Sequence, residues 1–358
     1  MKIFKVELKK TFLFEKGLLI LVLCLVLEAL LLLLIPKQID SRIRISRKQY
    51  DRLLQEYKGE TSAGKEEEIL RRKAEAAEIL NAYDGKLEEW NAGKITEEEW
   101  EVFSDRYRDA VLMQNALEIF AEKAEAFRNQ ETETPSWYFD DYGWDTVFLI
   151  LKFPNIFLLV FVVYISVRCF QYEEENGMIP LICSSKCGWP DTFRAKFVVI
   201  ILSSLAAALL FSVEEQLIFR ARGFLENGSV PMGSIPCFYE YPSDLSLAEA
   251  FRTVTAARLF GTVTVSAAAL CAGILIQRFI YSMTAAVIIL AAPFVSAAAL
   301  GKGLLYTWTG WLSGVDFLKL DYSSAGFELI LGGSAVIVVT SVLLLFSVKK
   351  YRSGINSR

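Results

Sequence analysis

The sequence predicts an all-α, polytopic membrane protein with six transmembrane helices and a helical, coiled-coil-like extracytoplasmic insert. Three observations predict it. Six apolar stretches are each about 20 residues long, the length at which a helix rising about 1.5 Å per residue crosses the hydrocarbon core. The stretches are continuous rather than alternating, and in lipid only helices or closed barrels satisfy their own backbone. Hydrophobic residues make up 53% of the 358-residue chain, yet the region between the first two stretches is densely charged.

Taken in order, residues 1–16 form a basic amphipathic helix carrying Lys2, Lys5, Lys9, Lys10 and Lys16. The first span covers 17–35. It is longer than a signal-peptide core and ends Leu34-Ile35-Pro36-Lys37 without a small-residue cleavage site, so it reads as uncleaved. The insert covers 36–146. Ile39, Ile43, Ser46, Tyr50, Leu53 and Tyr57 recur at 4-3-4-3-4 spacing, as do Ala76, Leu80, Tyr83, Leu87 and Trp90, and Trp100, Phe103, Tyr107 and Ala110. Such stripes predict two or more helices packed together. Gly59–Gly64 and Asn91-Ala92-Gly93 break the arms, and Thr96-x-x-Glu99 is a capping box opening the third. Span two covers 147–167, with a kink expected at Pro154. A cytoplasmic loop (168–196) leads to span three (197–219), an outer loop (220–257) with a capping box at Ser246-x-x-Glu249, and span four (258–276). Span four is rich in small residues, including Gly261 and Gly273, and is expected to pack inside the bundle. Span five (279–300), a re-entrant or outer segment (301–326), span six (327–348) and a tail (349–358) complete the chain.

Charge fixes an orientation. The stretch 36–146 holds 17 Lys plus Arg against 26 Asp plus Glu, a balance of −9, and the remainder carries +5. Short Lys/Arg-rich loops stay in the cytoplasm. The N-terminal segment, Arg168–Lys196, Gln277-Arg278 and the tail fall on one side of six spans, so both termini are expected to be cytoplasmic in the cell membrane. Trp137, Tyr138, Tyr142 and Trp144, with Tyr306, Trp308 and Trp311, are expected at the outer interface. The chain has no histidine, which removes imidazole bases, His-based triads and His metal sites. Cys183 and Cys187 stand as an isolated C-x3-C, a poor zinc signal.

Ionisable residues at membrane depth are functional candidates. Glu28, Lys152, Glu214 and Glu215 all fall in the outer leaflet. One reading pairs Glu28 with Lys152 and adds Glu214 or Glu215 to a polar cleft. The other lets Lys152 snorkel to the headgroups and pairs Glu214 with Arg220 or Arg252. Arg258, near a span end, reads as interfacial.

The most specific local pattern is Arg168–Phe197. An acidic cluster, Glu173, Glu174 and Glu175, precedes Gly177; an apolar turn, then Ser184 and Ser185, a break, and Arg194 and Lys196 lead into the next span. This resembles the loop after the second span in permease subunits of type-2 ATP-binding-cassette exporters. In that family a short cytoplasmic coupling helix there docks on the ATPase subunit. The resemblance implies an ATPase-coupling role for those eight residues and matches variants with a large extracytoplasmic insert. It implies an ATPase subunit, a second permease subunit (homo- or heterodimer) and the lipid bilayer as partners, with no nucleic acid. No G-x-x-x-x-G-K-[ST] loop occurs, so the chain is not expected to be an enzyme; it binds no cofactor itself, and ATP and Mg are expected on the partner subunit. The implied cargo is a peptide, a lipid or a drug. A membrane sensor or scaffold whose insert binds a partner without transport stays open beside it.

Overall fold

The computed structural model describes residues 2–37, 41–130, 135–184, 188–241, 243–276, 278–295, 307–315, 318, 333–345 and 349. Ile39, Ser185, Cys187, Tyr306, most of 301–326 and the ends of spans five and six lie outside the described residues. The described chain is helical, apart from one two-residue antiparallel strand pair. Its elements are α1 (Lys2–Lys9), running into a π turn at Lys10–Phe14; α2 (Gly17–Leu34); α3 (Ser41–Tyr57); β1 (Gly59–Glu60); α4 (Ala63–Asn81); α5 (Tyr83–Asn91); α6 (Glu97–Arg128); β2 (Trp137–Tyr138); α7 (Tyr142–Leu151); α8 (Ile156–Glu175); α9 (Ile179–Ser184); α10 (Gly188–Ala221); α11 (Leu247–Leu275); α12 (Phe279–Val295); and α13 (Trp308–Ser313). A further apolar helix, α14, spans Gly333–Leu345. Among the described residues four segments are long and apolar enough to cross a membrane: Gly17–Leu34, Tyr142–Glu175, Pro190–Ala221 and Leu247–Leu275.

The chain divides into two compact units. The first comprises residues 1–36, 148–222 and 251–358. Its core joins Leu21 and Cys24 of α2, Phe161, Val162 and Ile165 of α8, Ala207, Ala208 and Phe211 of α10, and Val265, Ala269 and Ala272 of α11. On α2 only the stripe Gly17, Leu21, Cys24, Glu28 and Leu32 is buried. Leu19, Val22, Leu23, Val26, Leu30 and Leu34 lie exposed, an outward apolar face that suits hydrocarbon and not water. α11 is the central helix, as its small residues predict. A Cβ at Gly261 would lie 2.8 Å from the backbone of Trp311 and Leu312, and one at Gly273 would lie 3.1 Å from Val167. These glycines let the helices approach closely, the usual device where lipid supplies no hydrophobic drive.

The expected break in the second span is present: α7 ends at Leu151 and α8 starts at Ile156, separated by Lys152-Phe153-Pro154-Asn155. Proline lacks the N–H a continuous helix needs and pushes the preceding residue out of helical geometry.

The second unit comprises residues 37–147 and 223–250. The first stripe is the buried face of α3, where Ile43, Ser46, Tyr50, Leu53 and Tyr57 all face inward. They meet Ile69 of α4 and Leu117, Phe120, Ala121, Ala124 and Phe127 of α6. The Thr96–Glu99 capping box opens α6, and the Ser246–Glu249 hydroxyl–carboxylate pair opens α11. The core is not a coiled-coil seam. It is an aromatic cluster in which Tyr50, Tyr57, Phe120 and Tyr138 make tilted or stacked contacts. Tyr138, Tyr142 and Trp144 are therefore core residues, at 0%, 7% and 2% exposure, and not members of an interfacial belt. Residues 223–250 complete the unit. Trp144 donates its indole N–H to the Glu226 carbonyl at 2.6 Å, and Gly143 lies where a Cβ would strike the Phe224 backbone at 2.8 Å. Lys123 and Asp141 form a fully buried pair at 2.7 Å. Burial is the largest single influence on Lys123 and opposes its charge, but Asp141 together with Tyr142 and Asp140 outweighs it and raises the ammonium above the usual lysine range.

Candidate functional site

Two buried polar clusters lie in the first unit, at opposite ends of α8. Asn155 and Glu173 are separated by 18 residues, roughly 27 Å at helical rise.

The first cluster forms where the second span breaks. Asn155 caps α8: its side-chain oxygen accepts from the backbone N–H groups of Phe157 and Leu158 at 3.1 and 3.0 Å. An Asn at this position satisfies amides that have no intrahelical partner. The same side chain donates its NH2 to Glu28 at 2.6 Å and to Glu215 at 3.2 Å. One amide thus bridges carboxylates from α2 and α10. Arg258 of α11 donates to the other Glu215 oxygen at 2.7 Å, to the Leu312 carbonyl at 3.1 Å and to the Phe153 carbonyl at 3.5 Å. Glu28, Glu215 and Arg258 are 3%, 4% and 7% exposed. Glu214 is half-buried beside Glu215. The second Glu28 oxygen is buried and has no hydrogen-bond partner among the described residues.

Of the predicted intramembrane residues, Glu28 and Glu215 share a site, but Lys152 does not join them. Lys152 is exposed in the break, and Asn155, three residues on, takes the expected place beside Glu28. Arg258 is not interfacial; it is the buried cation of the cluster. Sequence reasoning missed Asn155, although an Asn that follows proline and precedes an apolar run is an N-cap signal.

The second cluster ties the N-terminal segment to the opposite end. Lys196, 0% exposed, lies 3.0 Å from Glu173 and 3.1 Å from Glu7, and donates to the Cys169 carbonyl at 2.6 Å. Lys10 lies 2.6 Å from Glu173, 3.5 Å from Glu7 and 3.8 Å from Glu15. Tyr164 donates its hydroxyl to the Glu15 carbonyl at 2.7 Å. The turn into α2 needs Gly17, where a Cβ would lie 2.6 Å from the Thr11 carbonyl oxygen. On the other face of this segment Val6, Leu13 and Phe14 are exposed, the arrangement of a helix lying in a membrane interface.

The resemblance implies an ATPase-coupling role for Glu173 and Lys196; both are buried, and Lys196, with no solvent contact, is balanced by the carboxylates around it. Glu174 is half-buried. Glu175, Gly177, Ser184 and Arg194 are exposed, while Ser185 lies outside the described residues. Gly177 adopts φ +63°, the left-handed turn that ends α8. The short helix α9 follows, presenting Leu181 at 69% exposure.

Burial raises the Glu15 carboxyl from its ordinary 4.5 to about 7, against the pull of Lys10 and Lys196. A raised folded-state value means that the folded segment holds its proton more tightly than the unfolded one. The resulting stability is complete below about 4.5 and is lost as pH rises through about 7. Residues 2–15 should therefore exchange amide hydrogens more slowly at pH 5 than at pH 8, after correction for intrinsic rates. Glu15→Gln should flatten that difference; an unchanged pH dependence in the variant would assign it elsewhere.

No metal-binding group of three or more His, Cys, Asp or Glu occurs among the described residues. No family model matches the chain, and neither the curated proteins nor the solved structures contain a match to it.

Proposed function

We propose that this chain is the membrane-spanning permease subunit of an ATP-binding-cassette exporter, powered by a separate ATPase subunit and carrying a peptide, a lipid or a drug. In this reading there are six spans, both termini are cytoplasmic, the insert faces outward, and a second permease subunit pairs with the first. The observation that carries it is α9. This short helix, with an exposed apolar tip, joins two long apolar helices whose ends are locked together by Glu173 and Lys196. A push on α9 therefore reaches α8 and α10 as rigid bodies, which is what force transfer from a soluble motor requires. The break at 152–155 gives the same α8 a hinge at its far end.

The test is affinity purification in mild detergent, with mass spectrometry of the proteins that accompany the chain. An ATPase subunit should copurify with the parent and be lost from a Leu181→Asp, Arg194→Glu variant, both sites being exposed. No ATPase with the parent sinks the reading. A membrane sensor or scaffold is then favoured, a role supported by the insert's possession of its own closed core.

A further inference from the structure

The second unit ends in a hairpin whose packing differs from the rest of its core. Around Tyr50 and Phe120 the rings are wholly buried. At the α5–α6 end no residue of α5 is buried, yet five aromatic rings converge there. Tyr83 stacks on Tyr107 at 4.1 Å between ring centroids, and Trp90 stacks on Trp100 at 5.7 Å. Tyr83 also meets Trp100, and Phe103 lies between Trp100 and Tyr107. All five rings are half-exposed. Leucine and alanine would close such a hairpin; two tryptophans and two tyrosines left partly in water form a platform instead. Residues 83–90 and 100–107 run antiparallel beside each other, giving it a length of roughly 10 Å.

The surrounding charge is one-sided. Residues 81–109 carry nine acidic and four basic side chains. Asp84, Glu88, Glu97, Glu98, Glu99, Glu101 and Asp109 are exposed against the exposed Lys94 and Arg106, while Lys86 and Arg108 are paired with Glu89 and Asp105. Electron-rich ring faces within an acidic rim attract cations twice over, through the ring quadrupole and through Coulomb steering. The platform is long enough for several residues of an extended chain.

We infer that the α5–α6 tip is a docking surface for a short cationic, aromatic-rich peptide. This goes beyond the permease reading, since binding at the tip requires neither an ATPase nor transport. The test uses the full-length chain in uncharged detergent micelles and two synthetic peptides, one alternating Lys and Trp, the other alternating Glu and Trp, with affinity read by calorimetry. The Lys/Trp peptide should bind at least about tenfold more tightly than the Glu/Trp peptide, and more weakly as salt rises. Trp90→Ala with Trp100→Ala should weaken it at least about tenfold. Glu88→Lys with Glu101→Lys, which leaves the rings in place, should do the same. Failure of the parent to bind, equal affinity for both peptides, or unchanged affinity in the charge-reversed variant overturns the inference. Because no ATP or ATPase is present, none of these outcomes bears on the copurification result, and a missing ATPase leaves this surface standing.

Discussion

Replacing Arg258 by Met should destabilise the helical bundle by about 3–5 kcal/mol, the usual cost of stranding one partner of a buried ion pair. Arg258 neutralises Glu215 at 2.7 Å and also caps the Leu312 and Phe153 carbonyls. Its loss leaves Glu28 and Glu215 sharing one neutral amide, with no buried cation near them among the described residues. Adding Glu215→Gln to Arg258→Met should recover a large part of the loss. A double-mutant cycle on thermal unfolding in detergent measures this. If the double variant is as unstable as the sum of the singles, Arg258 acts through packing and its carbonyl contacts, and the pair contributes nothing of its own.

The second large effect is expected at the other end. Lys196→Met removes the ammonium that Glu7 and Glu173 share and strands the Cys169 carbonyl. Lys10 remains, 12% exposed at its side chain and already shared among three carboxylates. A loss of about 3–5 kcal/mol is again expected, but it should be distributed differently. Residues 2–15 should lose protection from hydrogen exchange and become open to proteases while the Leu21–Phe161–Phe211 core stays folded. If the whole bundle melts as one, the N-terminal segment is part of the core and not a strap laid upon it.

These expectations could not be reached from sequence alone, and the reasons are physical. Apolar length announces a membrane helix directly, because about 20 residues of hydrocarbon-compatible side chains have few other uses. The α3 stripe was equally legible, since a 3.6-residue period dictates which side chains share a face. Pairing between charges was not. Lys152 was the nearest candidate cation to Glu28 by depth, but depth along a span says nothing about rotation around it. Arg258 reaches the cluster because α11 turns that face inward and because Gly261 lets the Trp311–Leu312 backbone close over it. The acidic run Glu173–Glu175 looked uniform, yet helix geometry turns successive residues by about 100° and puts Glu173 inside and Glu175 outside. Trp144 and Tyr142 were misplaced for a related reason: an aromatic belt and an aromatic core have the same composition, and only the second unit's closure decides between them.

The amide of Asn155 that holds Glu28 has a consequence for how the protein is made. The two residues are 127 positions apart. At about 5–20 residues per second, Asn155 emerges from the ribosome roughly 6–25 s after Glu28, and Arg258 later still. Throughout that interval the first span must sit in the bilayer with its glutamate unaccompanied, retained by the leucines that surround it. The polar cluster therefore cannot close until α8, α10 and α11 have all been made, and a chain whose synthesis stops within the insert leaves Glu28 without the Asn155 amide that holds it.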